Sequence, residues 1–148
     1  MQQRQRGEIV LTSVDQTRLL NLTSEMAAQA SGPDAQQMRR LQDEIKRATI
    51  VEPNDIPADV VTLHSSVELT DLDNGGQRTV MVVMPDKANL EEKRVSVLAP
   101  VGMALLGYAS GDEVQWETPG GVRRFRIGKV LYQPEAAGVY RADTDSEA

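Results

Sequence analysis

The side chains best suited to chemistry are few and scattered along this chain. The sequence has no cysteine, which excludes disulfide bonds, thiol catalysis and cysteine-ligated zinc. Its one histidine, His64, follows the segment "DVVTL" on a predicted strand. No second histidine and no nucleophilic serine motif accompanies it, so neither a nucleophile–base pair nor a zinc site is expected. We therefore predict a structural or surface histidine and no catalytic residue.

Two acidic features of the sequence could hold a cation, a single aspartate and a group of three carboxylates. Asp34 is the one acidic residue in the segment 27–37, between two predicted helices. It has a structural explanation as a helix N-cap, and a single carboxylate on a turn is a poor magnesium site. Glu52, Asp55 and Asp59 lie in a proline-rich linker, where a solvated role is favoured over metal binding. The sequence thus predicts no metal and no cofactor.

Charge is unevenly distributed along the 148 residues. The net charge is −6 overall, but residues 1–50 carry +1 and residues 51–148 carry −7. The acidic charge of residues 51–148 disfavours general affinity for DNA or RNA, because affinity for nucleic acid depends largely on neutralising phosphates, and no sequence-specific DNA binding is expected. Four cations share the second predicted helix and form either a solvated face or a contact surface for an acidic partner or nucleic acid: Arg39, Arg40, Lys46 and Arg47.

The elements that position these residues begin with two helices between residue 13 and about residue 48. Ser13 with Gln16, and Asp34 with Gln37, have the spacing of capping boxes, and "ASGPD" between the helices is typical of a turn. Apolar residues recur every three or four positions and predict one antiparallel seam: Leu19, Leu22 and Met26 against Met38, Leu41 and Ile45.

From Val60 onward the pattern predicts strands. "VVTLHSSVELTDL" and "QRTVMVVMP" flank the hairpin signal "DNGG", and "KRVSVLAP", "DEVQWETP" and "VRRFRIGKVLYQP" follow. "PVGMALLG" is typical of a short helix, with Pro100 at its start and Gly107 at its end. The fold class is therefore α+β, a helical hairpin (1–50), a mostly antiparallel sheet domain with one helix (51–141) and a tail (142–148).

No apolar run in the sequence is long enough to span a membrane. "MQQRQRGEIVLT" lacks the apolar core of a signal peptide. A cytoplasmic protein without membrane contact is expected.

The stretch "RVSVLAPVGMALLGYASGDEVQWETPGG", preceded by "SSVELTDLDNGG", resembles the C-terminal domain of the Gre transcript-cleavage factors. That resemblance implies the fold of the FK506-binding proteins. The spacing of the family motif is preserved at a set of small, turn-forming and apolar residues: Ser96, Pro100, Gly102, Ala104, Leu105, Leu106, Gly107, Gly111, Asp112, Pro119, Gly120 and Gly121.

Two further segments, "DVVTLHSSV" and "YQPEAAGVY", resemble a short-chain bacterial branch of the same family, the regulators of nucleoside diphosphate kinase. "YQPEAAG" has no counterpart in the Gre factors proper. With the helical hairpin in front, this resemblance covers nearly the whole chain. It implies an influence on nucleoside diphosphate kinase, direct or through its expression.

The resemblance also implies a partner, RNA polymerase, whose secondary channel admits the long hairpin of the Gre factors. Acidic residues at the tip of that hairpin hold the metal ion that activates water for RNA cleavage. Helices of about 16 residues span only about 24 Å, about half the family's reach. We therefore expect polymerase binding without cleavage, with docking candidates on the sheet domain: Pro100, Gly102, Ser110 and Asp112.

Two alternatives remain open. The chain could be a protein-interaction module that does not bind polymerase. The FK506-binding fold also raises prolyl isomerase activity, whose active site is a hollow lined by aromatic residues. Five aromatic residues in the whole chain make that activity the weaker alternative, since fold alone does not confer it.

Overall fold

The computed structural model describes residues 9–138, which form a helical hairpin joined to a five-stranded sheet. The elements follow in the order β1 (Val10–Thr12), α1 (Ser13–Gln29), α2 (Gly32–Arg47), β2 (Thr49–Val51), β3 (Ser66–Asp71), β4 (Gln77–Val83), β5 (Arg94–Ser96), α3 (Pro100–Leu105), β6 (Glu113–Thr118) and β7 (Gly121–Tyr132). Short 3₁₀ turns lie at Pro53–Asp55, Pro85–Lys87 and Leu90–Glu92. The predicted α+β class is confirmed.

The seam of the hairpin is tight where α1 and α2 meet the sheet domain and looser towards the tip. Leu19 and Ile45 are buried and join the main hydrophobic core. Met26, near the tip, is 39 % exposed. Two small side chains of the hairpin are also buried: Thr23, which apolar periodicity does not reveal, and Ala35, which precedes Met38 by three residues. The hydroxyl of Thr23 donates to the carbonyl oxygen of Leu19 at 2.8 Å, which satisfies it inside its own helix.

Both predicted helix caps were wrong by one or more residues. The N-cap of α1 is Thr12, whose Oγ1 accepts the Asp15 N–H at 3.0 Å, while Ser13 is already helical. The N-cap of α2 is Ser31, and Asp34 lies in the first turn. The cause is Pro33, whose fixed φ suits a first-turn position and starts the helix before Asp34. Asp34 still has a favourable place near the positive end of the helix dipole.

A two-stranded parallel ribbon ties the base of the hairpin together, and the sequence did not predict it. β1 directly precedes α1, and β2 follows α2. The two strands pair with Leu11 opposite Ile50. The ribbon contacts the sheet domain at Gly107, whose carbonyl oxygen accepts the Val10 N–H at 3.1 Å. A Cβ on Gly107 would lie 2.1 Å from Cγ2 of Ile9, and its φ is +86°. Glycine is therefore needed there for close approach as well as for ending α3.

The large sheet has the strand order β5-β4-β3-β7-β6. All pairs are antiparallel except β4 with β5. One face carries the core, in which Val67, Leu69, Val82 and Ile127 meet Leu105 of α3. The same core includes Leu11 and Leu19 of the hairpin, so one hydrophobic cluster spans both parts of the chain. The predicted boundary at residue 50 stays a prediction, and the predicted tail (142–148) lies outside the described residues.

His64 is not on a strand, which corrects the sequence prediction. It has a φ of 72° in a turn that precedes β3. Ser65 builds this turn, because its Oγ accepts the Thr62 N–H at 2.8 Å and its own N–H donates to the Thr62 carbonyl oxygen at 3.0 Å. β3 therefore begins at Ser66 rather than at Val60. None of the helices between residues 9 and 138 has the length and hydropathy that crossing a bilayer requires.

Candidate functional site

The outer face of α2 is an exposed cationic surface, formed by the four residues that the sequence singled out. Arg39, Arg40, Lys46 and Arg47 are all exposed. None of them forms an ion pair with another residue in the part of the chain that the structure describes. Their charges are therefore available to an anionic partner, although their role in binding stays a prediction.

The tip of the hairpin, in contrast, has little that could bind a cation. It consists of the two-residue connection Ala30–Ser31 and the first turn of α2, and Asp34 is exposed there. No group of three or more histidine or acidic side chains suitable for a metal occurs among residues 9–138. Asp34 thus stands alone, as it does in the sequence.

A buried polar joint connects the base of α1 to the segment that precedes β3. Asp15 is 3 % exposed, and its Oδ2 accepts the Leu63 N–H at 3.0 Å. The backbone N–H of the same residue donates to the N-cap side chain of Thr12, so Asp15 contacts both the helix cap and the neighbouring segment. A buried carboxylate with a backbone donor is a directional contact, stronger than a neutral hydrogen bond. This contact ties the base of α1 to the segment that precedes β3.

The "YQPEAAG" motif closes the opposite side of this joint. Gln133 is buried, and its Nε2 donates to the carbonyl oxygens of Pro57 and Val60, both at 2.8 Å. Glu135 accepts a hydrogen bond from the Thr62 hydroxyl at 2.7 Å. Burial raises the pKa of the Glu135 carboxyl, while the Thr62 hydrogen bond and the charge of Arg18 on α1 act in the opposite direction. The motif therefore anchors the end of β7 to the linker and lies close to the hairpin.

The docking candidates on the sheet domain lie on α3 and on the loop that follows it. Pro100 is exposed in the first turn of α3. Gly102 is buried, and a Cβ on it would lie 2.1 Å from the carbonyl oxygen of Ser96, so its place is set by packing against β5. Ser110 Oγ donates to the Gly128 carbonyl oxygen at 2.7 Å, and Asp112 Oδ2 accepts the Ala109 N–H at 2.9 Å. Both side chains hold the loop and remain partly exposed, and their contact with a partner stays a prediction.

Of the four aromatic residues between 9 and 138, three pack within the sheet domain, and the fourth, Tyr132, is 42 % exposed. Tyr108 and Phe125 are 2 % and 1 % exposed, and Trp116 stacks on Phe125. The carboxylates Glu52, Asp55 and Asp59 are exposed on the linker.

The comparisons with known proteins agree with this architecture. Residues 56–132 match the family described as "Transcription elongation factor, GreA/GreB, C-term". This chain belongs to the GreA/GreB family. It is a regulator related to transcription elongation factors. Over its length it is similar to the regulator of nucleoside diphosphate kinase of Escherichia coli (strain K12), with 39 % identity over 91 % of this chain and 97 % of the relative.

A further relative and a solved structure show how much of the chain is similar to the elongation factors. Transcription elongation factor GreA of Syntrophotalea carbinolica is 34 % identical over 64 % of this chain, which is 60 % of that protein. A solved structure of a prokaryotic transcription elongation factor GreA/GreB from Nitrosomonas europaea is 37 % identical, with a TM-score of 0.69 over 84 % of this chain and 98 % of that one.

Sequence reasoning missed the polar joint because its members are distant in the chain. Asp15, Thr62 and Glu135 belong to three separate segments. Only "YQPEAAG" carried a signal, as a motif without a counterpart in the Gre factors.

Proposed function

We propose that this chain is a non-enzymatic regulator that binds RNA polymerase near its secondary channel and does not support Gre-type transcript cleavage. The observation that carries the proposal is a short hairpin on a GreA/GreB C-terminal fold. The helices have 17 and 16 residues, which corresponds to about 25 Å at about 1.5 Å per residue. The tip has a single carboxylate, so it lacks the acidic pair that holds a metal in the Gre factors.

The distribution of charge supports different binding roles for the hairpin and the sheet domain. The exposed cations of α2 suit an acidic channel surface, while the acidic sheet domain has little affinity for nucleic acid. An influence on nucleoside diphosphate kinase, as the name of the Escherichia coli relative states for that protein, would then act through transcription.

Binding to immobilised core RNA polymerase tests this proposal. We expect saturable binding of the wild type. Arg40→Glu should weaken it several-fold, because a cation facing an acidic surface becomes a repelling charge. Lys129→Glu is the matched control, since it reverses an exposed cation on β7 rather than on the hairpin. Absence of wild-type binding would contradict the proposal and favour an interaction module for another protein.

A further inference from the structure

The core face of the sheet has an open end near the β6–β7 turn, where charged and aromatic side chains replace aliphatic ones. Along β7, Arg123 and Phe125 alternate with outward-facing residues, and Trp116 of β6 lies opposite Arg123 in the register. Arg78 begins the same alternation on β4, ahead of Val80 and Val82. These four residues, Arg78, Trp116, Arg123 and Phe125, form an arginine–aromatic cluster.

The rings and guanidinium groups of this cluster are stacked. The rings of Trp116 and Phe125 are 4.6 Å apart between centroids and 4° from parallel. Cζ of Arg78 lies 5.1 Å from the Phe125 centroid, and Cζ of Arg123 lies 5.8 Å from it. Phe125 is fully buried, Trp116 is half-buried and Arg78 is exposed. The cluster is therefore a pre-organised surface, because stacking restricts side chains that would otherwise move freely.

The two arginines differ in electrostatic state. Arg123 pairs with Asp71, whose side chain is 5 % exposed and whose Oδ1 also accepts the Asp73 N–H at 2.8 Å. Asp71 is thereby satisfied by Arg123 and by the β3–β4 turn. Arg78 forms no ion pair with any residue between 9 and 138. The cluster consequently keeps one uncompensated positive charge beside an aromatic stack.

This composition matches the centre of a protein interface. Tryptophan and arginine are the residues most enriched among those that dominate binding energy. Nucleic acid is disfavoured as the occupant, since phosphate binding needs several cations and Arg78 is the one guanidinium of the cluster without an ion pair among residues 9–138. A single carboxylate next to an apolar side chain complements one free guanidinium next to an indole.

We propose that the arginine–aromatic cluster binds an acidic segment of the partner protein, in which a carboxylate pairs with Arg78 and an adjacent apolar side chain packs on Trp116. This rests on the proposed function, since the partner used for the test is RNA polymerase. The cluster is then a second contact, separate from the cationic face of α2.

The test compares three variants for binding to purified core RNA polymerase at several salt concentrations. Arg78→Met keeps the apolar stem over Phe125 and removes the charge. Arg78→Lys keeps the charge. Arg126→Met removes another exposed cation from the opposite face of the sheet, where Arg126 pairs with Glu113. The near-ultraviolet circular dichroism of Trp116, the one tryptophan, reports whether the stack is intact in each variant.

We expect Arg78→Met to weaken binding about tenfold with an unchanged tryptophan spectrum, as for loss of a charged hydrogen bond. Arg78→Lys and Arg126→Met should stay within about twofold of the wild type, and Arg78→Met should bind with a shallower salt dependence. Wild-type binding that Arg78→Met leaves unchanged, or that Arg126→Met weakens equally, would overturn the inference and leave the proposed function standing. No binding by the wild type would overturn both.

Discussion

Among single residues, Leu105 shows how the family motif acts through packing. It is 0 % exposed on α3, against the core face of the sheet. We predict that Leu105→Ala lowers the free energy of unfolding by about 2–5 kcal/mol, the cost of a cavity at a buried leucine. Leu90→Ala is the control, because Leu90 is 82 % exposed and should change stability by less than about 0.5 kcal/mol. Urea denaturation measures both, and equal losses would contradict the packing.

Glu135 makes stability depend on pH. Burial raises the pKa of its carboxyl above 4.5, so the folded protein holds this proton more tightly than the unfolded chain does. The resulting contribution to stability is present at low pH and is lost as the pH rises from 4.5 through the raised pKa. Glu135→Gln can still accept the Thr62 hydrogen bond without a charge. We therefore expect the variant to match or exceed the wild type in stability at pH 7.

The dependence of stability on pH shows whether ionisation of the Glu135 carboxyl destabilises the folded protein. Urea midpoints measured between pH 4.5 and 7 should fall less steeply for Glu135→Gln than for the wild type. A steeper fall in the variant would mean that the ionised carboxylate stabilises the joint. Thr17→Val serves as a surface control, since its hydroxyl bonds only within an exposed part of α1.

For single residues, the sequence correctly predicted the features that depend on neighbouring residues alone. Pro100 and Gly107 bounded α3 as expected, because proline at the first turn and glycine after the last are local signals. His64 was misplaced, since its turn depends on the Ser65 hydroxyl, which a β-branched pattern conceals. Gly102 matched the motif, but its close approach to Ser96 is a tertiary contact that spacing does not reveal.

Among the elements, the helical hairpin has a strong base and a weak tip. Leu19 is 2 % exposed and Met26 is 39 % exposed, although both have seam spacing. We predict that Leu19→Ala costs about 2–5 kcal/mol, whereas Met26→Ala costs less than about 1 kcal/mol. Thermal or urea unfolding distinguishes them. A large loss at Met26 would show that the tip is covered, as it would be by a second copy of the chain.

The β1–β2 ribbon is the element that local sequence patterns did not predict. Each strand has three residues, and the partners are separated in sequence by the whole hairpin. Strand signals are local, whereas this pairing arises from the two ends of the hairpin returning to one place. The hairpin and the sheet were predicted because periodicity and turn residues extend over longer segments.

Across the whole molecule, the ribbon, the polar joint and the shared core connect a short hairpin to the sheet domain. The proposed consequence is a protein that occupies the polymerase channel entrance but delivers no metal-binding tip. The sequence predicted both parts of this arrangement. It could not predict the joint, whose buried partners come from distant segments.

The proposed binding without cleavage can be measured as the rate of RNA cleavage in backtracked polymerase complexes, with the protein and magnesium added both alone and together with a Gre factor. We expect no cleavage above the rate of polymerase alone. We also expect a concentration-dependent slowing of Gre-stimulated cleavage, which Asp34→Asn leaves unchanged. Cleavage stimulated by the protein itself and lost in Asp34→Asn would show that the hairpin tip holds a catalytic metal, and Gre-stimulated cleavage that even saturating protein does not slow would rule out binding at the channel entrance.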